Sequence, residues 1–238
     1  MAAVTGDRLQ GPPVLAIETA TTRAVVALGT LAGVLLAVDE WEAGHRHAEE
    51  LLVRIGELLG RAGIGRPGPG TVAGIVAGTG PGGFTGLRVG LATAHGIARA
   101  AAAPLVGVPT GVALAMAARA SGTVPPGVDV ALLLPAGPAA RYLVRDGRAT
   151  LAPPDDPTGD PAPGATLVAV DLASRAPADA VARGAAARAG LAGALLHLGA
   201  ARLREGADDG AALVPEYVTM PRGMTAAAGE VAWLPARR

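Results

Sequence analysis

The sequence predicts an α/β protein, from three features. Short Val-, Leu- and Ile-rich runs alternate with amphipathic helical stretches, a glycine-rich turn joins one strand to one helix, and half of the 238 residues are apolar, enough for a sizeable core. After a polar lead, Val14–Ile17 and Ala24–Leu28 are β-prone runs joined by the polar turn Glu18-Thr19-Ala20-Thr21-Thr22, which reads as a hairpin. A third strand near Val34–Val38 extends it to a meander. From His47 to Ala62 the apolar positions Ala48, Leu51, Leu52, Ile55, Leu58, Leu59 and Ala62 recur at spacings of three and four, the stripe of an amphipathic helix, and Gly63 stops it. Thr71–Ala77 reads as a buried strand running into Gly78–Gly86. A helix over Leu87–Ala102, a strand at Leu105–Val108 and a helix over Thr110–Arg119 follow.

The second half is less regular. Val128–Leu134, Arg141–Val144 and Leu167–Val170 read as strands, and Pro153–Gly164 reads as a loop because Pro, Gly and Asp dominate it. Ala180–Leu198 alternates helix and turn signals because Gly184, Gly190 and Gly193 interrupt it. A basic segment with Tyr217, Arg222 and Trp233 ends the chain, expected to pack back on the first half. The division predicted is 1–108 and 109–238.

Composition excludes several classes. Twenty acidic residues balance 20 basic ones, all arginine, so there is no basic excess of the kind an independent nucleic-acid footprint requires. Without cysteine there is neither disulfide nor thiol chemistry, and the apolar stretch Leu91–Ala118 contains His95, Arg99, Pro104 and Pro109, unlike a membrane span. The expectation is a cytoplasmic protein without membrane contact.

Candidate chemistry concentrates in two loops. Gly78–Gly86 lies between a strand and a helix, where backbone N–H groups and the helix dipole hold anions, so Gly80, Gly82, Gly83, Thr85, Gly86 and Arg88 are candidate anion-facing or nucleotide-facing residues. Glu18, Thr19 and Thr21 are candidates on the facing turn. The loop lacks the Lys of a phosphate-binding Walker sequence, and glycine also serves close backbone approach, so both readings stay open. His45 and His47 are two apart, a poor pair for a metal; His95 and His197 are isolated; Ser121 and Ser174 lack a nucleophile-elbow context. Asp39, Asp129 and Asp171 are the acids near strand ends, and no catalytic or metal constellation emerges. Helices His47–Ala62 and Leu87–Ala102 both carry more apolar surface than one core face needs; burial against a sheet and a helix–helix partner surface are the two readings.

Four segments, VLAIETATTRAVVAL, HRHAEELLVRIGELL, GTGPGGFTGLRVGLATAHGIA and PLVGVPTGVALA, stand in an order and spacing that resemble the TsaB (YeaZ) family, and PEYVTMPRG resembles that family's C-terminal Pro-x-Tyr segment. The resemblance implies an actin-like (ASKHA, ribonuclease H-like) fold of two α/β domains. It implies a non-catalytic subunit that binds a TsaD-like catalytic subunit and a TsaE-like ATPase and assists threonylcarbamoyl transfer to N6 of the adenosine beside the anticodon. Transfer RNA is then met indirectly, ATP or ADP belongs to the complex, and a homodimer is an alternative assembly. The family's pairing helices map onto His47–Ala62 and Leu87–Ala102, giving His47, Leu51, Leu52, Ile55, Leu58, Leu59, Leu87, Leu91, Ala94 and Ala98 as interface candidates. The catalytic paralogue carries His-x-x-x-His on its first helix; counting four on from His45 and His47 reaches Glu49 and Leu51, so that metal pair is missing here. The family's Asp-Ala-Arg-x-Gly-Glu-Val-Tyr turn is replaced by Leu134–Tyr142 without either acid.

Overall fold

The computed structural model describes residues 11–44, 47–137, 139–153, 155–159, 161–206, 213–218, 224–227 and 230–233. The expected meander is formed by β1 (Val14–Glu18), β2 (Arg23–Gly29) and β3 (Leu35–Glu42), with the third strand running four residues further than its apolar part. Helix α1 (His47–Arg61), β4 (Gly74–Gly78), α2 (Phe84–Ala101), β5 (Leu105–Val108) and α3 (Thr110–Ala120) complete the first half. Strands β1 and β4 are buried along their whole length, which is why they read as continuous apolar runs.

The first sheet has the order β3-β2-β1-β4-β5, antiparallel from β3 to β1 and parallel from β1 to β5. The second repeats the first four places of that order. In it, β6 (Val130–Pro135), β7 (Arg141–Arg145), β8 (Arg148–Leu151) and β9 (Thr166–Ala169) lie as β8-β7-β6-β9, with β6 and β9 parallel. The strand β8 escaped the sequence reading because Arg148-Ala149-Thr150-Leu151 is only four residues long and exposed or half-buried throughout. The irregular Ala180–Leu198 stretch resolves into two helices, α4 (Ala178–Ala189) and α5 (Leu191–Glu205), broken at Gly190. A hairpin of β10 (Met224–Ala227) and β11 (Glu230–Trp233) lies near the end of the chain; Arg222 lies outside the described residues.

Packing follows from the sheet faces. Leu15, Ile17, Val26 and Ile75 meet α1 and α2 on one side of the first sheet. The opposite side, with Val14, Val25 and Val76, shares one apolar cluster with α3, α5 and the inner face of the second sheet, represented by Leu132 and Val168. Helix α5 therefore returns to the first sheet, and its close approach depends on Gly199, whose missing Cβ makes room for the Val76 side chain. Similarly, α4 meets β9 at Gly184, where any Cβ would collide with the main-chain carbonyl of Ala169. Backbone yields little, so Gly184→Ala is expected to destabilise by about 1–3 kcal/mol, lowering the melting temperature by several degrees in a thermal melt.

Candidate functional site

Glu18, at the end of β1, is fully buried and stands at the centre of a polar knot. Thr110 at the start of α3 donates its hydroxyl to one carboxylate oxygen at 2.6 Å, and the Ala20 N–H donates to the other at 2.5 Å. Thr110 also accepts the Gly80 N–H at 3.1 Å, while Thr19 donates to the Gly86 carbonyl at 2.8 Å. The Gly83 N–H reaches the Ala20 carbonyl at 2.7 Å and the Thr79 N–H reaches Val108. The two loops singled out in the sequence thus bind each other. A Cβ at Gly78 would overlap the Glu18 carboxylate, one at Gly82 the Ala20 carbonyl, and one at Gly90 the Thr19 hydroxyl. Close approach is the use these glycines have. Glu18 is corrected from an anion-facing to an interior position: its oxygens already hold donors, and an anion beside it would be repelled.

Burial pushes the Glu18 carboxyl above the usual carboxylate range, opposed by the Thr110 and Ala20 hydrogen bonds, by Arg188 and by the Thr19 backbone. A raised folded-state pKa means that the native state holds the proton more tightly than the unfolded chain. The resulting stability is fully present below the ordinary value of 4.5 and is lost as pH rises through the folded value. Glu18→Gln, which has no charge to bury, is expected to show a smaller loss of melting temperature from pH 4.5 upward than the parent chain, and equal slopes would remove the buried charge from the account.

A second polar node ties the halves together. Arg188 of α4 is buried; its Nε donates to Glu40 at 2.7 Å, Nη2 to the Arg23 carbonyl at 2.5 Å, and Nη1 to the Thr21 hydroxyl. Asp171 lies 3.7 Å from Arg188 and accepts the Thr22 hydroxyl at 2.9 Å. Asp39 pairs with Arg54 of α1 at 3.2 Å. Two of the three strand-end acids are therefore engaged in ion pairs. Arg188 left no sequence signal, since Arg183 and Arg188 in an alanine-rich helix read as a solvated face.

Between these nodes a cavity of about 500 Å³ opens, lined by Thr19–Thr22, the first turn of α2 from Gly83 to Gly86, Pro135, Gly137 and Arg175. The first N–H groups of a helix have no intrahelical acceptor, and Arg175 donates to the Gly137 carbonyl at 3.1 Å on the far wall. Thr19, Thr21, Gly83, Thr85 and Gly86 meet here. Gly80 and Gly82 sit behind, and Arg88 lies on the outer ridge of α2. Among the described residues no three His, Cys, Asp or Glu side chains converge as a metal site. The replaced turn after β6 has its own buried cation instead: Arg141 donates to the carbonyls of Pro153, Asp156, Pro157 and Arg175, holding the Pro-rich loop down.

The helix pair α1–α2 divides the interface candidates. Leu51, Ile55, Leu58, Leu59, Leu87, Leu91, Ala94 and Ala98 are corrected: all fill the chain's own core, because their stripe faces the sheet. Leu52 is 59% exposed and stays outside with Val53, also 59%. The His47 side chain lies outside the described residues. The outward surface is a groove of about 600 Å³ whose floor includes Gly56, Gly60, Gly96 and Ala100 beside Leu52. Leu91→Asp would place a charge in the core.

The family model described as TsaD, tRNA N6-adenosine threonylcarbamoyltransferase, matches residues 41–193, well over half of the chain. The tRNA threonylcarbamoyladenosine biosynthesis protein TsaB of Haemophilus influenzae is 34% identical over 110 residues, which are 46% of this chain and 44% of that protein. The shared region is thus less than half the length of that relative. The solved structure of YeaZ from Pseudomonas aeruginosa matches with a TM-score of 0.60 at 23% identity, covering 87% of this chain and 99% of that one. Another, titled an uncharacterized protein with similarity to peptidase YEAZ from Pseudomonas aeruginosa, gives 0.58 at 23% identity, with 87% and 100% covered. The duplicated sheet order and these likenesses make the fold α/β and actin-like (ASKHA), and the chain belongs to the family of the TsaD model.

Proposed function

We propose that this chain is a non-catalytic subunit in threonylcarbamoyladenosine formation on tRNA, acting in the cytoplasm by binding a TsaD-like catalytic subunit through the outward surface of α1 and α2. A TsaE-like ATPase joins the same assembly, and tRNA and ATP or ADP are met at the level of the complex. The observation that carries this reading is the α1–α2 groove, where exposed Leu52 stands beside Gly56, Gly60 and Gly96. Glycines on neighbouring turns lower the ridge of a helix, so a partner helix can approach closely and bury the leucine. The name of the Haemophilus influenzae relative supports the pathway, and the engaged Glu18, Asp39 and Asp171 favour a binding role over a reactive one.

The test is reconstitution of cognate catalytic and ATPase subunits with tRNA and threonylcarbamoyl-adenylate, with and without this chain, scored as modified adenosine by mass spectrometry. Modification that depends on the chain is expected; full modification without it would overturn the proposal. Leu52→Asp is expected to weaken binding to the catalytic subunit at least tenfold, about 1.4 kcal/mol, with little change in melting temperature, because the side chain already faces water. If Leu52→Asp abolishes self-association and leaves subunit binding intact, the surface is a homodimer face instead.

A further inference from the structure

We propose that Arg88 is a preset anchor for a carboxylate on a helix of the catalytic partner, held in position by residues 213–218 of this chain. The inference rests on the α1–α2 reading above and adds the chemistry and geometry of one contact. Arg88, Ala92, Gly96 and Ala100 follow one another at four-residue spacing, which makes them a single ridge of α2, and all four are exposed. Gly96 and Ala100 line the groove, so Arg88 lies on the ridge that bounds it, toward the N-terminal end of α2. No acidic residue occurs anywhere in α2.

Its setting differs from that of the other well-placed arginines. The guanidinium lies 4.0 Å over the Phe84 ring and 6.0 Å from the Tyr217 ring, and its Nε donates to the Tyr217 hydroxyl at 2.9 Å. The two rings are themselves 5.3 Å apart. In a chain with 1 Phe and 2 Tyr, the only phenylalanine and one of the tyrosines flank this one side chain. Tyr217 is brought there by a segment fixed along its length: the Glu216 N–H donates to the Thr79 carbonyl at 2.7 Å, His95 Nε2 is 3.4 Å from the Leu213 carbonyl, and Leu213 fills the space left by Gly107. Arg141 and Arg188, which serve the fold, direct their Nη groups at acceptors of the protein itself. Arg88 has no partner for Nη1 or Nη2 among the described residues. Stacking and the Nε bond fix the plane of the fork and leave its outer edge, the edge that receives a carboxylate in two parallel hydrogen bonds. An arginine ordered before binding forgoes much of the side-chain entropy it would otherwise lose on contact.

A carboxylate on protein fits better than an RNA phosphate. The formal net charge is zero, Arg99 is the ridge's nearest other exposed arginine in α2, eleven residues and about 16 Å along the helix, and the small residues between suit a helix backbone.

The experiment measures the dissociation constant for the catalytic subunit at low and raised salt for the parent chain, Arg88→Gln, Arg88→Lys, Tyr217→Phe and Arg99→Gln, with thermal melts of each. Expected are about tenfold or greater weakening in Arg88→Gln with a flatter salt dependence, failure of Lys to restore affinity, about threefold weakening in Tyr217→Phe, and a change within about twofold in Arg99→Gln. Unchanged affinity in Arg88→Gln with a native melt would overturn the anchor and leave the α1–α2 reading standing. Loss of tRNA binding by the isolated chain with subunit binding intact would overturn it in favour of RNA. A parent chain that does not bind the catalytic subunit would sink both. Should Arg88→Gln fail to fold, Tyr217→Phe and Arg88→Lys decide the matter.

Discussion

The first half of the molecule closes around a buried carboxyl. Glu18 sits where the chain leaves β1, and the donors that satisfy it come from the β1–β2 turn and from the head of α3. A carboxylate in such a place is costly unless its oxygens are filled, and filling them brings together the β1–β2 turn and the head of α3, whose Thr110 hydroxyl also takes the Gly80 N–H of the β4–α2 loop. Only glycine permits that at 78, 82 and 90. The glycine-rich signature is therefore first a packing device: it lets the β4–α2 loop lie on the β1–β2 turn, and this sets where α2 begins and which of its faces looks outward.

The same economy runs through the rest of the chain. With Ala, Val and Leu supplying most of the core, contacts are made by bringing backbones close, as at Gly184 on β9 and Gly199 on Val76. Arginine then does the long-distance work that aromatic residues do elsewhere. Arg188 crosses from α4 to the β1–β2 turn and β3, and Arg141 gathers the carbonyls of the Pro-rich loop after β8. Both are fully occupied with protein acceptors, so they stabilise the joint between the halves and the loop they hold; neither is available to a ligand.

The first half was largely legible because its strands are either continuous apolar runs or a meander, and its helices keep strict three-and-four spacing. The second half was less so. Strand β8 is a short, mostly exposed edge strand, although the Asp146-Gly147 pair, both with positive φ, is the strong short-range sign of a hairpin there. The break between α4 and α5 was blurred because Gly184 and Gly193 look like stops in sequence, while one serves close contact with β9 and the other sits on an open helix face. Periodicity correctly found the apolar stripe of α1 and α2 but could not say that it faces inward. A stripe that matches a sheet and one that matches a partner look alike until the sheet is placed. Leu52, on the shoulder of the stripe, is the residue that distinguishes them.

That distinction bears on what the α1–α2 surface can do. Its exposed apolar content is modest: Leu52 and Val53 are the exposed large side chains of α1, and in the groove Leu52 stands among four glycines, Ala100, half-buried Ile64 and Pro67, and the buried Ile55 and Ile97. Area alone would give a weak contact, since such small side chains bury little on association. A specific interface built on this surface needs a directional element, and the exposed ridge of α2 offers one in the stacked guanidinium of Arg88. Its seat is made partly by residues 213–218, which are far away in sequence but anchored on β4 and β5, the same parallel strands whose glycines receive Glu18 and Leu213. The outward face of α2 and the interior knot are thus positioned by one set of strands, which is the physical reason that the glycine-rich loop, the arginine after it and the distant Pro-x-Tyr segment belong together.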